Sequence, residues 1–220
     1  MQTTTLNCKL IKKIEDERFD EDLINQYYLL IHIGFRDLQV GVIDSSDDRM
    51  LLLEDYVFPS LAAPDELIQI LDNLFEAHAF LRAAFWKGIK VSIKNNKFVQ
   101  VPEVLFVEES GADYLRFNAN INTEEEDILS IANRRANAVT VFAMAKNLRA
   151  WLIKLYPNNT PVFMHQSAAL IESVTKFSET RKDNPLYIYV DRFKLHILSS
   201  RQGKHLYYNQ FTIKQFSDYI

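Results

Sequence analysis

Residues 29–44 read LLIHIGFRDLQVGVID, and residues 186–201 read LYIYVDRFKLHILSSR. Aligned without a gap, the two stretches place apolar residues at the same positions: Ile31 with Ile188, Ile33 with Val190, Leu38 with Leu195, and Val40 with Ile197. In each stretch, apolar and other residues alternate, the alternation stops at a polar turn, and it then resumes. A period of two residues is typical of strands with one buried face, so each stretch is predicted to form two antiparallel strands.

Each copy continues in the same way. A second polar turn follows, SSDDR at residues 45–49 and SRQGK at residues 200–204, and then a third strand at residues 50–58 and 205–212. The start of a helix comes next in both copies. Two such units predict a duplicated, two-lobed α/β protein, in which Ile188, Val190, Leu195 and Ile197 share one buried face.

The composition indicates an ordinary globular protein. Hydrophobic residues make up 48% of the 220 residues and charged residues 25%. The net charge of −4 gives no basic field, so nucleic-acid binding is disfavoured. The first residues lack the apolar core of a signal peptide, and no apolar run approaches the ~18 residues that span a bilayer. We therefore expect a cytoplasmic protein that contacts neither nucleic acid nor membrane.

The segment after the first meander predicts a helix and then shorter elements. Pro64 and an apolar stripe predict a helix that ends near Arg82. Residues 90–93 and 97–101 are predicted to form a hairpin around Asn95, and residues 114–121 alternate like a strand. These elements predict an inserted hairpin region near residues 95–121.

Two alternatives remain for the segment that follows. Thr123 and Glu126 match the pattern of a capping box and favour a helix, whereas residues 128–131 are apolar enough for a strand, which we prefer.

Strands and helices alternate from Ala138 onward. A buried strand at residues 138–144, a helix to residue 155 and a strand at residues 161–165 precede a helix capped by Ser167. This order predicts parallel strands with right-handed crossovers. We expect a first lobe at residues 1–180 and the start of an incomplete second lobe at residues 181–220.

The duplicated meander, followed by a helix and parallel strands, resembles the actin-like ATPase fold of actin, Hsp70 and sugar kinases, which is ribonuclease H-like. The segments YYLLIHIGFRDLQVGVID, KFVQVPEVLF, YLRFN, NAVTVFAM and PVFMHQSAALIES also resemble an uncharacterised bacterial family assigned that fold. The resemblance implies the fold, and it implies no activity, because that family has none established.

Two phosphate loops of the active enzymes are altered in this chain. In those enzymes each loop is a strand that ends in Asp-x-Gly, because glycines let backbone N–H groups approach phosphates and the Asp binds hydrated Mg²⁺. The first loop has residues 32–36, HIGFR, with histidine in place of the acid, and the second has residues 189–193, YVDRF. ATPase and kinase activity are therefore disfavoured, and we expect no cofactor.

Weak candidates for a nucleotide site remain in these turns: Gly34, Arg36, Asp191, Arg192 and Lys194. In the actin-like architecture the two turns would face each other across a cleft, where the charges could bind an anion or form an ion-pair cluster. Solvated turn charges are the simpler interpretation. No catalytic residue can be named, and the histidines have no metal-ligand spacing.

Two functional hypotheses follow. The leading one is a non-catalytic actin-like interaction or scaffold protein, which binds a protein partner or a second copy of itself. The alternative is a nucleotide-binding protein with a degenerate phosphate site, because arginine can grip phosphate without a metal.

Overall fold

The computed structural model of the chain describes residues 8–58, 61, 64–192 and 194–213. In these residues the strands are β1 Lys9–Glu15, β2 Tyr27–Ile33, β3 Asp37–Asp44, β4 Met50–Val57, β5 Gly88–Ile93, β6 Phe98–Pro102, β7 Glu126–Asn133, β8 Ala138–Ala145, β9 Val162–His165, β10 Leu186–Asp191, β11 Lys194–Arg201 and β12 Lys204–Thr212. The α-helices are α1 Pro64–Ala77, α2 Gly111–Arg116, α3 Lys146–Leu155 and α4 Gln166–Ser178. Short 3-10 helices are Glu21–Gln26, Glu103–Leu105, Glu108–Ser110 and Arg134–Ala136.

The chain divides into two compact units that are discontinuous in sequence. The first comprises the chain up to Asn95 together with Asn122–Asp127 and Met144–Met164. The second comprises Asn96–Ile121, Ile128–Ala143 and the chain from His165. The expected lobes at residues 1–180 and 181–220, with the second one incomplete, stay a prediction.

The first unit is built on a six-stranded sheet with the order β1-β4-β3-β2-β5-β9. The meander β2-β3-β4 is antiparallel, and β5 pairs in parallel with β2. Alternation in β2 places Ile31 and Ile33 opposite Val40 and Leu38 on a fully buried face. The sequence prediction of a three-stranded meander with that apolar face is confirmed here.

The second unit contains two three-stranded sheets, β6-β8-β7 and β10-β11-β12. The hairpin predicted from residues 90–93 and 97–101 is wrong, because β5 joins the first sheet while β6 pairs with β8. The preferred strand at residues 128–131 is confirmed by β7. The duplication also holds, because β10-β11-β12 is a separate antiparallel meander.

The strand predicted at residues 114–121 is wrong as well. Residues up to Arg116 form the short helix α2, in which Leu115 is buried while Phe117, just beyond it, is 88% exposed. Leu115 packs with Val101, Val139 and other apolar residues of the β6-β8 pair. One turn of helix inserts this single apolar side chain into the core, so the short alternation carried no information about a strand.

Helix α4 begins two residues earlier than predicted. His165, not Ser167, is the N-cap, and its Nδ1 accepts a hydrogen bond from the Ser167 backbone N–H at 3.1 Å. The cap satisfies one of the backbone donors that every helix start leaves open. Of the helix predicted to follow the second meander, only Ile213 is described, as a buried residue after β12, and residues 214–220 lie outside the described residues.

The burial predicted for the second meander is wrong. Ile188 is 61% exposed and Val190 50% exposed, whereas His196, Leu198 and Ser200 are buried. The reason is that α4 packs on the face of β11 and β12 that carries the polar residues. The Thr175 and Ser200 hydroxyls, for example, meet at 3.3 Å. Among the described residues, no helix has the length and apolar content needed to cross a bilayer.

Candidate functional site

The first phosphate-loop position is the turn between β2 and β3. The Gly34 N–H donates to the Asp37 carbonyl oxygen at 2.9 Å, which closes the turn, while Phe35 and Arg36 at its tip are exposed. A Cβ atom at Gly34 would collide with the carboxylate of Asp37. Gly34 is therefore required by the turn itself, where the buried Asp37 side chain folds back over the backbone.

A buried ion pair holds this turn. The Lys94 Nζ lies 2.6 Å from Asp37 Oδ2, and the two side chains are only 7% and 6% exposed. Lys94 comes directly after β5, and its N–H donates to the Ile33 carbonyl oxygen at 2.8 Å. Because β2 and β5 are parallel, their carboxyl ends meet at one edge of the sheet, which brings Lys94 to the turn. The charge of Lys94 is thus compensated by the carboxylate of Asp37, at the end of the turn between β2 and β3.

The second phosphate-loop position is the turn between β10 and β11. Asp191 pairs with Lys194 across this turn, and Arg192 has a left-handed backbone with φ of 54°. The Asp191 side chain is buried, and its Oδ2 accepts a hydrogen bond from Gln166 Nε2 at 2.7 Å. Gln166 is the first residue of α4, so the turn is attached to the start of that helix.

Two histidines of the second unit are packed residues. His165 is fully buried and stacks on Phe98, with ring centroids 4.3 Å apart. His196 shares a hydrogen bond at 2.8 Å with the hydroxyl of Tyr208, and burial raises the pKa of Tyr208. Within the described part of the chain, no three His, Cys, Asp or Glu residues are arranged to hold a metal ion.

The structure brings the predicted site residues together in two groups. Gly34 and Arg36 share the first turn, whereas Asp191, Arg192 and Lys194 share the second. Their role in nucleotide binding stays a prediction. Sequence reasoning missed Lys94 and Gln166, although both directly follow a strand, β5 and β9 respectively, of the same sheet. That position, just past a strand of an α/β sheet, was the available signal.

Residues 16–220 match a protein family described as being of unknown function, DUF3822. The chain belongs to this family. No curated protein matches the DUF3822 chain.

Solved structures show the fold of this DUF3822 chain. A protein from Bacteroides thetaiotaomicron, described as having an actin-like ATPase fold and unknown function, is 22% identical. The match covers 91% of this chain and 76% of that one, with a TM-score of 0.79. The protein therefore has an actin-like ATPase fold, as the duplicated meander predicted.

More distant structures include enzymes. A Ppx/GppA phosphatase from Aquifex aeolicus is 9% identical over 85% of this chain and 52% of its own, with a TM-score of 0.43. An exopolyphosphatase from Cytophaga hutchinsonii is 11% identical over 86% and 51%, with a TM-score of 0.45. The chain thus spans about half the length of these enzymes.

Proposed function

We propose that this DUF3822 chain is a non-catalytic actin-like protein that acts by binding another protein or a second copy of itself. The observation that carries the proposal is the apolar face of the second meander. This face, called the open face below, carries the apolar residues Leu186, Ile188, Val190, Leu195, Ile197, Tyr207 and Phe211, and the strand registers place the polar Ser199 and Asn209 on the same face. Contiguous exposed apolar surface of this kind marks interaction sites in soluble proteins.

The exposure of the open face is large. Leu186, Ile188 and Val190 on the edge strand β10 are 58%, 61% and 50% exposed, and Phe211 on β12 is 41% exposed. Burying such a side chain completely from full exposure contributes roughly 1.5–3 kcal/mol, so covering a half-exposed one contributes about half as much, and a bound partner would supply that stabilisation. The opposite face of the same sheet is already covered by α4.

The two turns support the non-catalytic part of the proposal. Each turn keeps one buried carboxylate, but Asp37 is engaged by Lys94 and Asp191 by Gln166. Hydrated Mg²⁺ needs accessible carboxylate oxygens, so it would have to displace these partners.

Light scattering coupled to size-exclusion chromatography of the intact chain tests the proposal. We expect a mass above that of the 25.7 kDa monomer, or assembly with a partner purified from the native cytoplasm. Ile188→Asp should abolish this association, because it places a charge in the open face. Val104→Asp is the control, since Val104 is 92% exposed in the 3-10 helix Glu103–Leu105 and does not belong to the second meander. A strict monomer that retains no partner would contradict the proposal.

The alternative function is nucleotide binding without catalysis. It is favoured by the exposure of Arg36 at the first turn and the partial exposure of Arg192 and Lys194 at the second. Thermal unfolding with ATP, ADP and GTP, with and without Mg²⁺, tests it. A bound nucleotide at 100 times its Kd should stabilise the protein by about 2.7 kcal/mol. An unchanged melting temperature at millimolar nucleotide would exclude this alternative.

A further inference from the structure

A second candidate binding site lies wholly within the second unit. It is a cavity of about 310 Å³, lined by residues 98–100 of β6 and residues 208–210 of β12, with Asn96 and Asn118 beside them. The rings of Phe98 and Tyr208 pack edge to face at 5.8 Å, which connects the two strands beside the cavity. We call this cavity the amide groove.

The amide groove is bounded by the edges of two strands. Successive side chains of a strand point to opposite faces, so three consecutive residues can line one cavity only if the strand turns its edge toward it. In the sheet orders, β6 is paired only with β8, and β12 only with β11, among the described strands. Such an edge presents backbone N–H and C=O groups that can pair with an added strand.

The side chains of the groove are chemically uniform. Five of the eight lining residues carry carboxamides, namely Asn96, Gln100, Asn118, Asn209 and Gln210, and none of the eight carries a charge at neutral pH. Burial raises the pKa of Tyr208, which keeps its hydroxyl neutral. Carboxamides donate and accept hydrogen bonds as peptide groups do, so this lining complements an uncharged peptide backbone rather than a phosphate or a carboxylate.

Gln100 supplies a further indication. Gln100 lines the groove, but its Nε2 atom is itself buried and has no hydrogen-bond acceptor among the described residues, so an added strand reaches this donor only when the carboxamide turns toward the groove. Buried donors in native structures nearly always have a partner, so an acceptor from outside these residues is expected.

We propose that an extended, uncharged peptide segment of a partner protein adds as a strand in the amide groove, between β6 and β12. Backbone hydrogen bonds to the two edges provide affinity, and the Gln100 amide donates to a carbonyl oxygen of the peptide. This site uses the edge of β12, whereas the proposed function uses the open face, and Asn209 belongs to both. Variants at Gln100 and Ile188, which each lie in only one of the two sites, therefore distinguish their failures.

Selection from a displayed library of random uncharged decapeptides against the intact chain provides the probe. Fluorescence anisotropy then gives the Kd of an enriched peptide for the wild type and for two matched variants. Gln100→Leu should weaken binding at least tenfold because it removes the buried donor. Gln69→Leu makes the same change at an exposed position of α1 in the first unit and should leave the Kd unchanged.

Backbone methylation of the enriched peptide separates strand addition from side-chain binding. Successive residues of an inserted strand direct their backbone hydrogen bonds to opposite neighbouring strands, here β6 and β12. N-methylation of the odd-numbered or of the even-numbered residues of the peptide should therefore weaken binding tenfold or more. Absence of any enriched peptide would overturn the proposal, as would a Kd insensitive to Gln100→Leu or to N-methylation. A peptide that loses binding only with Ile188→Asp belongs to the open face and would also overturn it.

Discussion

In the first meander Ile31, Ile33, Leu38 and Val40 are at most 2% exposed, whereas in the second meander their counterparts include Ile188 at 61% and Val190 at 50%. The buried positions of the second meander are instead the polar Asp191, His196 and Ser200, together with Leu198. The same apolar pattern thus lies inward in one sheet and outward in the other.

The difference shows that strand alternation determines which residues share a face, but not which face is covered. The cover depends on where a helix packs, and α4 packs on the polar side of β11 and β12. There, hydrogen bonds from Gln166 to Asp191 and from Gly203 to Ser178 join the helix and the sheet. The first meander is stabilised mainly by apolar burial, and the second more by polar contacts.

The largest expected effect comes from equivalent alanine substitutions in the two meanders. Ile31→Ala should lower the free energy of unfolding by about 2–5 kcal/mol, because it leaves a cavity in a closed core. Ile188→Ala should change it by no more than about 0.5 kcal/mol, as is usual at exposed sites. Urea unfolding measures both at a protein concentration where the chain is monomeric. An equal cost at Ile188 under that condition would break the comparison, because it would mean that the open face is covered within the monomer.

The carboxylates of the two turns give the next largest effect. Asp37→Asn should destabilise by about 3 kcal/mol, because the Lys94 charge stays buried without its counter-ion. Asp191→Asn should cost about 1 kcal/mol, since Gln166 is neutral and an amide oxygen can still accept its hydrogen bond. Asp113→Asn removes an exposed ion pair with Arg116 and is the control, with an expected change below about 0.5 kcal/mol. Equal losses of unfolding free energy for Asp37→Asn and Asp191→Asn would contradict the idea that only the first turn depends on a buried ion pair.

A smaller effect should follow the loss of one hydroxyl beneath α4. Ser200→Ala removes a buried hydrogen bond to Thr175 and should cost about 1 kcal/mol in urea unfolding. A gain in stability would show that the polar contacts on this face do not hold the helix.

The smallest expected effect is a difference in acid sensitivity. Burial alone would raise the pKa of Glu54 in the first meander, but hydrogen bonds from His78 and Tyr56 outweigh it and hold that pKa below its ordinary value of 4.5. Burial lowers the pKa of His205 in the second meander below 6.5. In both cases the unfolded chain binds the proton more readily, so stability falls as pH falls.

The two losses should occur in different pH windows. The contribution of His205 should decrease below about pH 6.5, and that of Glu54 only below about pH 4.5. Melting temperatures should be measured from pH 7 to 3. In His205→Gln the melting temperature should depend less on pH just below pH 6.5, and in Glu54→Gln it should depend less on pH below about 4.5. A His205→Gln profile that parallels the wild type would refute the first assignment.

Much of the fold could be predicted from the sequence because it depends on local patterns. Alternation and turn residues predicted both meanders, and the duplicated unit indicated the actin-like fold. The errors concern non-local choices. Nothing in residues 97–101 indicates that β6 pairs with β8 instead of β5, and nothing in Ile188 indicates on which side α4 packs.

The candidate site could be predicted only in part for the same reason. Gly34 and Asp191 were recognisable because they occupy turns at matching positions of the two copies. Their partners lie far along the chain, Lys94 at 57 residues from Asp37 and Gln166 at 25 residues from Asp191. Only the geometry of the sheet brings these residues together in space, and a local sequence pattern does not reveal contacts between residues so far apart in the chain.

The discontinuity of the two compact units constrains how the protein can be made. The chain passes from one unit to the other five times, at residues 95/96, 121/122, 127/128, 143/144 and 164/165. A ribosome delivers residues in order, so the first unit cannot be completed until residue 164 has emerged, when the first two segments of the second unit have also been synthesised. Strand edges that stay unpaired until later segments are synthesised favour slow folding and binding by chaperones. No single proteolytic cut can separate the units, and the two fragments of a nicked chain would stay associated through at least one folded unit.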